Sequence, residues 1–233
     1  AVKAVYGVTD ITTAISAGYD PHYLGTNNPA LKGIGTTAGQ ACSKLYSCSG
    51  ASGDLTQATA ASMPLLLVKN STDANYWYGS GVTGTYCSTP NAAANQITGD
   101  IEIIGKKIKI KDYSGTYAIA SKGDQASNRG WVLRSAAGTL VFIFSQNGSS
   151  GIAASASVSL TTAGYTADTS YFFKVTRVSS SGLVQFYGSS DGTTYTQIGA
   201  NVTAITGAMF NSTGQVCVGT WNNDSNDFLG NIG

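Results

Sequence analysis

Charge is scarce in this sequence. Of 233 residues, 13 are Lys or Arg and 12 are Asp or Glu, for a formal net charge of +1. Nucleic acid held by a general electrostatic footprint needs a basic excess on one face, and this balance supplies none. Solubility then rests on Ser, Thr, Asn and Gly, a kind of surface common in extracellular and virion proteins. Long hydrophobic runs are missing as well. The longest spans residues 64–68, which is strand length, so neither a transmembrane helix nor a membrane partner is expected. The opening stretch AVKAVYGVTDITT lacks the apolar segment of a signal peptide.

Histidine occurs once, at His22, and glutamate once, at Glu102. A Ser-His-Asp triad would have to draw on His22, far in sequence from any nucleophile-elbow motif. A zinc site is excluded by the same shortage and by the cysteine spacings. The four cysteines are Cys42, Cys48, Cys87 and Cys217. Their even number allows two disulfides in three pairings, with Cys42 and Cys48 able to close the small loop CSKLYSC; four reduced thiols are the other reading.

Helical periodicity is nearly absent. In its place, strand-length patches rich in β-branched and aromatic residues recur between turn signals, the pattern of a sandwich or jelly roll. Candidate strands include residues 97–104, 107–111, 117–122, 130–134, 139–145, 171–178, 183–187, 193–198, 208–210 and 215–220. Alternation assigns their faces. In YFFKVTRVSS, Tyr171, Phe173, Val175 and Arg177 form the more apolar set and point inward, with Arg177 at the rim. Leu140, Phe142 and Phe144 face one way and Val141 and Ile143 the other, so this strand is covered on both sides. Asp191-Gly192 in GLVQFYGSSDGTTYTQIG marks a hairpin turn. Residues 1–52 differ from the rest. They hold two of the four prolines and few alternating runs, which suggests an extended arm that packs on something else, with one continuous domain over 53–233.

The segments YAIASKGDQASNRGWVLRSAAGTLVFIFSQNG, SYFFKVTRVSSSGLVQFYGSSDGTTYTQIG and FLGNIG, in this order, resemble the concanavalin A-like, laminin-G-like jelly-roll superfamily. The match spans roughly residues 54–233. DLTQATAASMPLLL resembles the lead-in to such domains in bacteriophage and bacterial proteins. The resemblance implies an all-β, antiparallel two-sheet jelly-roll sandwich carrying the N-terminal arm. It also implies that Phe186 reaches the core and that FLGNIG introduces the closing strand. Because the sequence stops at Gly233, that sheet is expected to lack its last strand, or to have the edge filled by another segment.

Glycosidases of this superfamily place paired carboxylates two apart on a strand. Asp100 and Glu102 have that spacing, but no third carboxylate follows, and two solvent-facing acids is the plainer reading. No enzyme is expected, and no cofactor beyond calcium. The loop WNNDSND offers Asn222, Asp224 and Asp227 as hard oxygen donors for Ca²⁺, or alternatively turn residues bonded to their own backbone. In GKKIKIK, Lys107, Lys109 and Lys111 oppose Ile108 and Ile110. This is a solvated edge strand or a docking stripe for an acidic partner. Trp77, Tyr78, Trp221 and Asn223 are candidate contacts for a glycan or a protein partner. Two functions compete. One is a non-enzymatic bacteriophage virion protein, a capsid decoration or a tail or fibre component, contacting other virion proteins and copies of itself through the arm. The other is a secreted or surface glycan-binding module.

Overall fold

A computed structural model describes residues 44–45, 55–59, 65–68, 76–79, 86–149, 153–221 and 227–232. Its strands are β1 (Lys44–Leu45), β2 (Leu55–Thr56), β3 (Leu65–Val68), β4 (Tyr76–Gly79), β5 (Cys87–Thr89), β6 (Ile101–Ile110), β7 (Thr116–Gly123), β8 (Arg129–Ala136), β9 (Thr139–Ser145), β10 (Ala153–Ser159), β11 (Ser170–Val178), β12 (Leu183–Ser189), β13 (Thr196–Thr203), β14 (Val216–Val218) and β15 (Gly230–Ile232). They form two antiparallel sheets that make a jelly-roll sandwich. The first runs β1-β2-β5-β14-β7-β8-β9-β10 and the second β13-β12-β11-β6-β15-β4-β3. Among the described residues the only helical turn is a 3-10 turn at Ala93–Asn95.

Period-2 alternation builds the core. Phe173, Val175, Val184, Phe186 and Ile198 from the second sheet meet Leu133, Leu140, Phe142 and Phe144 from the first, all buried. Phe186 is fully buried, as the resemblance implied. On β9 both faces are buried, because Val141 and Ile143 enter a second cluster with Ala118, Val132 and Trp221 on the outer side of the first sheet.

Four expectations about the strands are corrected. Residues 97–104 and 107–111 are not separate strands: Ile101–Ile110 is one strand with a register shift opposite Tyr171/Phe173 and a positive φ at Lys107. Nor is the lysine stretch at a sheet edge. β6 lies between β11 and β15, its Ile108 and Ile110 fill the core, and Lys109 pairs with Asp168 at 2.9 Å. The closing strand is present, since Gly230–Ile232 pairs with β6 on one side and β4 on the other, and β3 and β4 continue the sheet beyond it. Residues 208–210 form no strand; Met209 N donates to Thr98 O in a loop and Phe210 N to Ser145 O at the end of β9.

Arg177 is not at the rim. It is 1% exposed. Its guanidinium lies 4.2 Å from the Phe144 ring centroid and donates to the carbonyls of Gly99, Ile205 and Gly207 at 3.3, 3.2 and 2.6 Å. Those loop carbonyls close over the end of the sandwich and give both terminal nitrogens of the buried guanidinium an acceptor. Burial lowers its pKa from the usual value, and Asp100 partly offsets this. Cys87 and Cys217 are both buried. In the ladder Cys87 stands opposite Val218, not Cys217, so the two side chains lie on opposite faces of adjacent strands. Cys42 and Cys48 lie outside the described residues, as does the arm except for Lys44–Leu45, which pairs with Leu55–Thr56 at the margin of the first sheet.

Candidate functional site

The two sheets differ on their outer faces. That of the first is apolar and covered: Val132, Val141 and Ile143 lie against Trp221, which is 2% exposed. Arg129 and Arg134 flank the Trp221 ring, their guanidinium carbons 4.8 and 5.6 Å from its centroid. Trp221 is therefore not the exposed ligand platform expected of it. An apolar outer face must be shielded from water, and the indole does that. The outer face of the second sheet is polar and open across β6, β11, β12 and β13, and carries the most organised set of exposed side chains among the described residues.

Lys174 is the centre of that face. Its alternation partners Phe173 and Val175 go inward, so Lys174 points out. The register sets it opposite Tyr187 on β12 and Ile104 on β6. Its ammonium stands 4.7 Å from the Tyr187 ring centroid and 5.1 Å from that of Tyr195, and 3.7 Å from Glu102 Oε2. Each half-exposed contact contributes only about 0.5–1 kcal/mol. Together they hold a flexible lysine in one place. Ile104, 46% exposed, adds an apolar surface beside it.

Tyr195 reaches Lys174 because of the turn before it. The Asp191 carboxylate accepts from Ser189 Oγ, Thr193 N and Thr194 N, each at 2.8 Å. Those bonds, that of Thr194 N foremost, hold the Asp191 carboxyl far below the usual range. Gly192 has φ +77°, and a Cβ there would stand 2.7 Å from the Phe172 ring. The turn thus folds down onto Phe172 and aims Tyr195 back over the sheet. Burial, then Glu102 and Asp191, push the Tyr195 phenol above its ordinary pKa, so at neutral pH it is a hydrogen-bond donor.

Beside the tyrosines lies an amide trio. Asn201 Oδ1 accepts from Gln185 Nε2 and Gln197 Nε2, both at 2.9 Å, and Gln185 Nε2 also approaches Gln197 Oε1 at 3.4 Å. All three are solvent-accessible. Amides carry both donors and acceptors, and these are already fixed by one another.

The other sequence candidates that fall on described residues lie elsewhere. Trp77 and Tyr78 lie on β4, on the far side of β15 and β6. Asn222, Asn223 and Asp224 lie outside the described residues, while Asp227 is half-buried next to buried Phe228. Asp100 and Glu102 do not converge as a carboxylate pair. Asp100 accepts from Ser179 N and Ser179 Oγ, each at 2.7 Å; the Oγ bond foremost lowers its pKa, while Glu102 turns to Lys174. The resemblance places Phe186 in the core, and there it is. Tyr187, its neighbour, must by alternation face out, and that was the available signal. The convergence of Lys174, Tyr195 and the amides depends on register and was not.

No protein-family model and no curated protein matches the sequence. Solved structures do match it. The binding domain of botulinum neurotoxin DC, in complex with rat synaptotagmin II, is 13% identical with a TM-score of 0.50, covering 96% of this chain and 46% of that one. The binding domain of botulinum neurotoxin serotype D is 14% identical, TM-score 0.49, covering 84% and 46%. Botulinum neurotoxin type C, which depends on interaction with two ganglioside molecules to enter cells, is 16% identical, TM-score 0.49, covering 89% and 43%. This chain spans less than half the length of each, and the likeness at such identity is one of fold: a β-sandwich of the kind found in binding domains.

Proposed function

We propose that this protein is a non-enzymatic glycan-binding β-sandwich module whose site is the outer face of the second sheet. One observation carries the reading: Lys174, clasped between Tyr187 and Tyr195, adjoins the interlocked amides Gln185, Gln197 and Asn201 on an open sheet face. A sugar ring has an apolar C–H face and a rim of hydroxyls. Tyrosine offers an apolar ring with a polar tip, and fixed amides offer donors and acceptors at low entropic cost. The likeness of fold to the binding domain of a botulinum neurotoxin supports a binding role. The occupation of Asp100 by Ser179 supports the non-enzymatic part.

The place we propose for such a module is the surface of a bacteriophage particle, with the arm docked on copies of itself or other virion proteins. Support comes from the DLTQATAASMPLLL lead-in and the charge-poor composition. Mass spectrometry of purified particles tests it, and absence of the chain from them would end that part of the proposal.

The binding site is tested by a glycan array followed by calorimetry. Tyr187→Ala and Asn201→Ala are expected to weaken the best ligand about tenfold, the effect of losing one stacking surface or one or two hydrogen bonds. Neither should alter the melting temperature by much, and the ligand should be recovered intact. Absence of any binding, or binding indifferent to Tyr187→Ala, would overturn the reading. Appearance of hydrolysis products would overturn its non-enzymatic part.

A further inference from the structure

The edge strand next to the amide trio carries a device that the face alone does not need. Val184 pairs with Val202 and Phe186 with Ile198, so residues 199–201 of β13 stand opposite Gln185 alone. This is a bulge with two extra residues. Gly199 takes φ +67°, and a Cβ there would meet Val158 Cγ1 of β10 at 3.0 Å. Gln197 spans the bulge, its Nε2 donating to Gly199 O at 3.2 Å and to Asn201 Oδ1 at 2.9 Å. Bulges bend an edge strand and re-aim its side chains. Here the bend meets β10 across the side of the sandwich and leaves an open groove lined by Ser157, Ser159, Thr162, Ala200 and Asn201, with Val158 at its floor.

Asn201 belongs to both places. It is a member of the amide trio and a wall of the groove, so the two surfaces are continuous. The groove lining holds hydroxyls, an amide and small apolar groups, and no ionisable residue. On the face itself, the Lys174 charge is balanced by Glu102. A peptide strand is a poor occupant, because the bulge interrupts the regular row of N–H and C=O groups that edge pairing requires.

Building on the glycan-binding reading, we propose that the ligand is a neutral oligosaccharide longer than a disaccharide. Its first units lie on the Tyr187/Tyr195 face. Its chain passes Asn201, and its further units occupy the groove between β13 and β10.

The test uses neutral oligosaccharides of the gluco, galacto, manno and xylo series, each from disaccharide to hexasaccharide, on the full chain. In the series that binds, Kd is expected to fall about tenfold from the disaccharide to the longer members, the worth of one or two added hydrogen bonds. Ala200→Trp fills the groove from β13 and should erase that gain while leaving disaccharide affinity in place. Thr162→Trp fills it from the other wall, away from the bulge, and should do the same. Tyr187→Ala should weaken every length. If affinity does not depend on length, or if the gain survives Thr162→Trp, the groove proposal is overturned; disaccharide binding that still needs Tyr187 would then leave the glycan-binding reading standing. If no member of any series binds, the neutral-oligosaccharide proposal is overturned, and the glycan array then decides the glycan-binding reading separately.

Discussion

Buried cations show how little of a site is written in one residue. Arg177 and Lys122 both lie inside, 1% and 2% exposed, in a chain that has few charges to spend. Lys122 Nζ donates to Asn91 Oδ1 at 2.6 Å and Gly214 O at 2.7 Å, and burial lowers its pKa. Alternation placed Arg177 on the inward face but gave no sign of its depth. The groups that make its burial tolerable come from residues 99, 144, 205 and 207, far apart in the chain and joined only by the fold. Removing the side chain strands three carbonyls and opens a cavity beneath Phe144. Arg177→Ala is expected to cost about 3 kcal/mol, within the usual range for breaking a buried polar network. Arg177→Met, which refills the volume, should cost less. Urea unfolding measures both, and an Arg177→Ala midpoint equal to that of the wild type would refute the account.

At the scale of the element, the β12–β13 hairpin was the most legible part of the molecule. Asp-Gly between alternating strands identified the turn, and the pairing of Tyr187 with Gln197 and of Phe186 with Ile198 realises it. Local rules sufficed because hairpin contacts are close in sequence. They did not reveal the bulge at Gly199 and Ala200, where Gly199 lies against Val158 of the distant β10. The same limit explains β6. GKKIKIK carries the lysines of an edge strand, but edge or interior position is decided by β15 and β11, neither of which is local. The turn itself is testable. At Gly192 a side chain meets both a positive φ and the Phe172 ring. Gly192→Ala is expected to destabilise by about 1–2 kcal/mol. It should also move Tyr195 off Lys174, so glycan affinity should fall along with stability. A variant with wild-type stability would show that the turn does not hold the strand ends as described.

At the scale of the whole molecule, four of the described aspartates sit at joints between strands. Asp100 ties the start of β6 to Ser179 at the end of β11, and Asp112 closes the β6–β7 turn through Ser114 and Tyr117. Asp124 gathers the N–H groups of residues 126, 127 and 128 in the β7–β8 turn, and Asp191 does the same in the β12–β13 turn. These carboxylates latch the joints of the sandwich. All four have lowered pKa values. The Ser114 hydroxyl, followed by the Tyr117 phenol, brings Asp112 to about 2. Burial raises Asp124, but its backbone donors more than offset it. The causes at Asp100 and Asp191 are the Ser179 and Thr194 bonds already described. A carboxylate with a folded pKa below its unfolded value of about 3.9 stabilises the fold above that value, and the stabilisation fades as pH falls toward the folded pKa. The melting temperature should therefore be nearly flat from about pH 7 to pH 5 and drop between about pH 4 and pH 2. Replacing Asp112 and Asp191 together by Asn, which keeps an acceptor oxygen but cannot titrate, should lower stability at neutral pH and make the acid drop shallower. Differential scanning calorimetry across that range decides it. A wild-type melting temperature unchanged down to about pH 2 would mean that these turns do not depend on ionised aspartate.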